Sequence, residues 1–403
     1  MKDYLLLSFN NLRRRKLRSW LTMLGIFIGI AAVVALISLG QGLEAAITSE
    51  FESFGVDKIT IEERGIQGPP GSGTSQETKL TSKDLDIIKR VNGIKGAAGL
   101  IFKTAKVEYQ DEIDFVFAYG IPQDSDEKRI VSFFDVEQGR DLKKDDRRKV
   151  VVGIRFTEGQ VFEKKLRLGD KINIEGEDFE IVGVLERIGN PFDDSAVILP
   201  KDVLKELYGV EDEESIIYAQ VENVDEIDKI KEDVEHELRK ARNEEEGKET
   251  FQVRTSSQIL ESFSNVFGIV QAVLVGIAAI SLVVGGIGIA NTMYTSVLER
   301  TKEIGTMKAV GAKNSDILLM FLIESGLLGL IGGVIGVVIG IGLGKGAEYF
   351  ATIALGTNLL QASTDVTLIV GALLFSFFIG AASGVLPAYQ ASRLKPVDAL
   401  RYE

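Results

Sequence analysis

The chain contains no cysteine and a single histidine. Without thiols there is no disulfide, no thiol nucleophile and no thiolate metal site. This leaves the compartment open, because an extracytoplasmic domain does not need disulfides. The one histidine, His236, sits in the charged run Glu232-Asp233-Val234-Glu235-His236-Glu237 and reads as a solvated helix-face residue rather than a triad member or ligand. Paired carboxylates are too common here to mark acid–base chemistry. Asp111, Glu112 and Asp114 fall at a predicted strand turn and read as solvated, and no EF-hand-like spacing of oxygen ligands occurs. The Walker A pattern is absent too. The stretch Gly340-Ile341-Gly342-Leu343-Gly344-Lys345-Gly346 fails because Ile339 stands five before Gly344 and no Ser or Thr follows Lys345. No enzyme site and no cofactor site is therefore read on this chain, and any ATP it uses belongs to another.

Basic residues are scarce over most of the length. Residues 41–268 carry 50 acidic against 32 basic side chains, whereas the remainder carries 9 against 14. Phosphate binding needs clustered Lys and Arg, so nucleic acid is excluded as a partner. The acidic surplus instead gives a well-solvated surface. The chain is 45% hydrophobic and 26% charged, values that reconcile when the two kinds occupy different segments.

They do. Apolar runs cover residues 20–39, 269–293, 317–343 and 366–386, with Glu324 the only charge in any of them. Each reaches the roughly 20 residues that cross a ~30 Å hydrocarbon layer. The sequence therefore predicts a membrane α-helical protein of four transmembrane helices. The first run is longer than a signal-peptide h-region of roughly 7–15 residues and has no convincing cleavage site, so it reads as an uncleaved anchor. Residues 4–17 ahead of it, with Leu5, Phe9 and Leu12 opposite a basic face, read as an amphipathic helix on the inner membrane surface.

Basic clusters set the orientation. Arg13, Arg14, Arg15, Lys16 and Arg18 precede the first run, Arg300, Lys302, Lys308 and Lys313 separate the second from the third, and Arg393, Lys395 and Arg401 follow the fourth. The link between the third and fourth runs holds only Lys345 against Glu348 and Asp365. The positive-inside rule makes both termini cytoplasmic and residues 41–268 extracytoplasmic in a cell membrane.

Glycine is dense in the apolar runs. Gly25 and Gly29, Gly380 and Gly384, and the stripe Gly332, Gly336, Gly340 and Gly344 repeat at i,i+4. Small residues on one face let a neighbouring backbone approach, which predicts a helix–helix seam. Glu324, about 10 Å into the third run at 1.5 Å per residue, is expected to reach the inner interface or bond a neighbouring helix.

The inserted segment mixes signals. Short β-branched or alternating runs at 58–62, 105–109, 115–121, 150–153, 171–174, 179–185 and 216–221 predict strands. Residues 81–91, 201–208 and 224–242 have helical spacing with Asp84, Asp202 and Asp225 in first turns. The expectation is an α+β domain in two lobes, one built from 58–121 and 216–255, the other from 140–200. Residues 65–75, rich in Gly, Pro and Ser, read as a loop, and 256–268 read as the start of a helix that continues into the second run.

The connector 296–315 places Glu299 and Glu303 at i,i+4, an apolar strip at Ile304 and Met307, and a stop at Gly311. The tail from Leu386 onward reads as a short amphipathic unit. Several motifs join here: Asn10-Asn11-Leu12-Arg13-Arg14-Arg15-Lys16-Leu17-Arg18 before Leu21-Thr22-Met23-Leu24-Gly25-Ile26; Glu299-Arg300-Thr301-Lys302-Glu303-Ile304-Gly305 with Lys308-Ala309-Val310-Gly311-Ala312; Glu324 ahead of the Gly-rich stretch; and Pro387-Ala388, Ala391-Ser392-Arg393 and Pro396-Val397-Asp398-Ala399-Leu400-Arg401. With these the chain resembles, over essentially its whole length, the permease subunits of ABC transporters of the MacB/FtsX/LolC-E type.

The resemblance implies three regions: an amphipathic helix and first span (1–40), a MacB-like core domain (41–268), and an FtsX-like permease domain (269–403). It implies a non-catalytic subunit that works with a cytoplasmic ATPase carrying ATP and Mg²⁺, a second permease copy, membrane lipid and an extracytoplasmic adaptor. Because the matched region lacks the ATPase domain that MacB carries, a separate ATPase chain is expected. Glu299, Arg300, Lys302, Glu303, Ile304, Gly305, Lys308 and Gly311 would receive its motion, and the spans would carry it to the exterior domain, a process called mechanotransmission. The resemblance also admits an FtsX-like transducer that regulates an external enzyme such as a cell-wall hydrolase.

Overall fold

The computed structural model describes residues 16–64, 79–131, 134–355 and 361–400. Most of the amphipathic helix expected over 4–17, the loop at 65–75 and the last three residues of the tail lie outside them. The chain forms two compact units, one of Met1–Ala46, Ser264–Thr352 and Asn358–Glu403, the other of Ile47–Phe263 and Ile353–Thr357.

Helix α1 (Lys16–Phe54) comes first. The strand-bearing unit then runs β1 (Lys58–Glu63), β2 (Leu80–Thr81), α2 (Ser82–Ile88), β3 (Ile94–Tyr109), β4 (Glu112–Ile121), α3 (Ser125–Val131), β5 (Val136–Gly139), β6 (Lys149–Val152) and α4 (Arg155–Glu158). It continues with β7 (Lys171–Ile174), β8 (Glu177–Leu185), β9 (Val197–Pro200), α5 (Lys201–Tyr208), β10 (Glu213–Glu214), β11 (Ile216–Val221), α6 (Ile227–Arg242) and β12 (Phe251–Thr255). The main sheet has the order β12-β1-β11-β3-β4-β9-β6-β8-β5, and β7 bridges β3 and β8. Among the described residues, only β4–β9 and β6–β8 are parallel.

Strand β3 organises this unit. Its residues 94–100 pair with β11, and 101–109 pair with β4. Alternation along it feeds three cores, as a period of two requires. Ala97 joins Ile59, Ile61, Ile217 and Val253 under α2 and α6. Ile101, Ala105 and Val107 join Val116, Phe156, Phe162 and Phe179. Ala98, Leu100 and Phe102 face the other way, toward Ile130 and Val131 of α3. The lobe boundary therefore falls inside β3, and β4 belongs with the 140–200 region rather than with β1. Gly96 and Gly99 lie within β3 and stay paired with β11, so one strand serves both lobes.

Helix α6 buries Ile230, Val234 and Leu238, spaced i,i+4, and leaves His236 exposed on its outer side. Helix α2 begins at a capping box, in which Thr81 accepts from the Asp84 amide and Asp84 accepts from the Thr81 amide. Arg242 then donates to Asp84 at 2.8 Å and to the Lys79 carbonyl at 2.8 Å, tying α6 to α2. Burial alone would raise the Asp84 carboxyl. Hydrogen bonds from Arg242 and Thr81, together with the guanidinium charge, outweigh it and hold the group below the usual carboxylate range.

The helical unit is built from α1, α7 (Ser256–Glu299), α8 (Thr301–Ala309), α9 (Asn314–Leu355), α10 (Val366–Ser392) and α11 (Pro396–Leu400). Four of these, α1, α7, α9 and α10, are long and apolar enough to cross a membrane. They are apolar all round, the pattern of helices surrounded by lipid or by one another. Helix α9 outlasts its apolar run because Lys345 pairs with Glu348 at 2.7 Å, while Glu348 also accepts from the Ala362 amide at 2.9 Å. Helix α10 likewise continues past Leu386, through a buried Pro387, to Ser392, so the tail is divided between the end of α10 and α11.

Glycine contacts hold the long helices together. A Cβ on Gly336 would lie 2.8 Å from the Phe27 carbonyl, and one on Gly340 would lie 2.8 Å from that of Ala31, both in α1. Gly332 is buried beside them, while a Cβ on Gly344 would meet Ala362 and Ser38 only at 3.5 and 3.7 Å. A different face of α9 meets α10, where a Cβ on Gly329 would stand 2.9 Å from the Gly380 Cα. In lipid, such close backbone approach supplies packing that hydrophobicity cannot.

Candidate functional site

The connector between α7 and α9 is the part of the helical unit that carries concentrated charge. Helix α7 stops at Glu299, Arg300 has φ −102° and ψ 12°, and α8 begins at Thr301. The break separates Glu299 from Glu303, which the sequence pattern placed on one helical face. Thr301 steadies the turn by donating its hydroxyl to the Val297 carbonyl at 3.0 Å.

Arg300 turns inward. Its Nη1 donates to Glu324 Oε2 of α9 at 2.9 Å, and its Nε donates to Glu303 Oε2 at 3.0 Å. The guanidinium lies 5.5 Å from the centroid of the Phe321 ring, itself wholly buried. Glu324 is only 7% exposed. A pair this sheltered is costly to break singly, by about 3–5 kcal/mol, because the remaining charge stays buried. Glu324 thus bonds a neighbouring element rather than reaching an interface alone.

Lys308 makes the second tie. Its Nζ donates to the carbonyls of Ser392 and Leu394, the latter at 2.8 Å, at the C-terminal end of α10. A cation at these unpaired carbonyls also faces the negative end of the helix dipole. Burial holds the ammonium below its ordinary range. Ile304 is fully buried in the core that includes Val297, Ile317, Phe321 and Ala391, and Gly305 is buried beside it. Gly311, with φ +106°, ends the connector in backbone that other residues adopt only with strain, and its exposed surroundings leave that conformation as its contribution.

Of the eight connector residues picked out in the sequence, the structure therefore divides two sets. Arg300, Ile304, Gly305 and Lys308 serve contacts within this chain. Glu299, Lys302, Glu303 and Gly311 are exposed, together with Thr306, Ala309 and Val310, the last at 86%. Sequence reasoning missed Val310 as an outward apolar residue and Lys308 as the clamp on α10. The i,i+4 spacing of Ile304 and Lys308 puts both on the inner side and could have signalled it.

Residues 19–237 match the MacB-like periplasmic core domain, and residues 275–396 match the FtsX-like permease C-terminal domain. The chain belongs to the ABC transporter permeases that combine these two domains. It is 39% identical to an uncharacterized ABC transporter permease of Methanocaldococcus jannaschii, over 100% of this chain and 98% of that one. It is 32% identical to the permease YknZ of Bacillus subtilis, over 98% of each. The macrolide export ATP-binding/permease protein MacB of Bdellovibrio bacteriovorus is 31% identical over 100% of this chain but only 62% of its own length. Among solved structures, the extracellular domain of YknZ covers 49% of this chain with 22% identity and a TM-score of 0.39.

Proposed function

We propose that this chain couples ATP hydrolysis on a separate cytoplasmic ATPase to movement of its strand-bearing domain on the other side of the membrane. The ATPase carries the ATP and Mg²⁺ and docks on the outward face of the connector, formed by Glu299, Lys302, Glu303, Thr306 and Val310. A second permease copy, identical or paralogous, completes the membrane part, and an extracytoplasmic adaptor is a further partner. Export or extraction of a substrate at the outer face is the outcome. The observation that carries this reading is that the connector turns Arg300, Ile304 and Lys308 inward while Glu299, Lys302, Glu303 and Val310 stay exposed to solvent. The basic clusters around the connector and both termini support the cytoplasmic placement. Family membership supports the ATPase partner.

The test is capture of the ATPase from native membranes by the tagged chain. Glu299→Lys with Glu303→Lys, or Val310→Asp, should abolish capture while helix content is unchanged. Undiminished capture by both variants would refute docking on this face.

A further inference from the structure

The inner side of the connector holds two cations, Arg300 and Lys308, that lie away from the docking face. Arg300 reaches Glu324 at 2.9 Å on α9, and Lys308 reaches the Leu394 carbonyl at 2.8 Å just past α10. The two ties leave the cap and the last turn of the same short helix, at residues eight apart, roughly two turns or about 12 Å along its axis. We infer that Arg300, Glu324 and Lys308 are positioning residues that clasp α8 to α9 and to α10, so that load on α8 moves all three helices as one piece. This rests on the coupling function proposed above and adds the device through which the load enters the spans.

The chemistry suits a clasp better than a mere fold-holding contact. Apolar packing already secures α8, since Ile304 is fully buried and packs with Phe321, Ile317 and Ala391. Apolar contacts alone resist sliding weakly, because they have no preferred direction. A guanidinium bonded to a buried carboxylate and stacked on a buried ring fixes an angle as well as a distance. Lys308 adds two bonds to backbone carbonyls, which no side-chain rotation of α10 can withdraw. Between them, α8 is bound at one end to α9 and at the other to α10.

The absence of cysteine makes the test direct, because introduced thiols are the only ones in the chain. Spin labels on Ala309→Cys, exposed on α8, and Leu319→Cys, exposed on α9, report the distance between the helices by electron paramagnetic resonance. With Arg300 and Glu324 intact, the distance should be narrow and identical with and without ATP, Mg²⁺ and vanadate. Arg300→Ala leaves Glu324 buried and unpaired and risks misfolding, so the informative variant is Arg300→Met with Glu324→Met, which removes both charges together. That variant should still capture the ATPase, yet its label distance should broaden, and shift again on trapping with vanadate. Lys308→Met should do the same for labels on Ala309→Cys and Gln390→Cys. Arg300→Lys should restore much of the narrow distance. A narrow, nucleotide-independent distance in the Met pair and in Lys308→Met would overturn the clasp. Failure of the unaltered chain to capture any ATPase would instead overturn the docking reading, and the nucleotide-free distances would still decide the clasp.

Discussion

Gly25 of α1 and Gly285 of α7 meet backbone to backbone: a Cβ on Gly25 would lie 2.7 Å from the Gly285 Cα, and one on Gly285 would lie 2.6 Å from the Ile26 amide nitrogen. Neither helix can carry a side chain at that crossing without separating. Gly25→Val or Gly285→Val is therefore expected to destabilise the helical unit by about 1–3 kcal/mol, the usual cost of overpacking. Thermal unfolding in detergent measures it. Gly276→Ala on α7, where an added Cβ meets nothing within 4 Å, is the control and should be neutral or slightly stabilising.

The Arg242–Asp84 pair predicts an acid limit for the strand-bearing unit. The folded Asp84 carboxyl lies below its unfolded value of about 3.9, so its contribution is complete above that pH and disappears as pH falls through the folded value. Hydrogen exchange in α2 and α6, expressed relative to the intrinsic amide rate at each pH, should therefore accelerate on acidification below about pH 4. Asp84→Asn should accelerate it at neutral pH and flatten the acid response. An unchanged acid profile in Asp84→Asn would place the limiting group elsewhere.

At Gly311 the backbone itself is the constraint. With φ at +106° and open space around the missing Cβ, Gly311→Ala adds conformational strain without a clash. A loss of about 1 kcal/mol or more is expected, against a gain where Ala fits the native backbone. The melting temperature in detergent checks the sign.

How far the sequence led depends on how local each feature is. The four spans needed only length and lack of charge, and α5 was bounded correctly at 201–208 because its periodicity is short and complete. The lobe boundary was misplaced because β3 alternates without pause through both lobes. The glycine stripe of α9 was visible, but its partner was not: nothing near Gly336 in sequence points to Phe27. Gly329 and Gly333, which face α10, were passed over because they lie off the longer stripe. The connector misled most. No proline or glycine marks the break at Arg300, and the acid that draws its side chain inward lies 24 residues away. A surface charge and a buried clasp read alike until the fold brings the partner near.

The arrangement requires that the connector and the strand-bearing domain lie on opposite sides of one membrane. Single-cysteine variants at Lys313 and His236, both exposed, provide the measurement, with a membrane-impermeant maleimide as the label. In intact cells His236→Cys should react and Lys313→Cys should not, and inverted vesicles should reverse the pattern. Labelling of both positions from the same side would contradict any transfer of motion across the membrane by this chain.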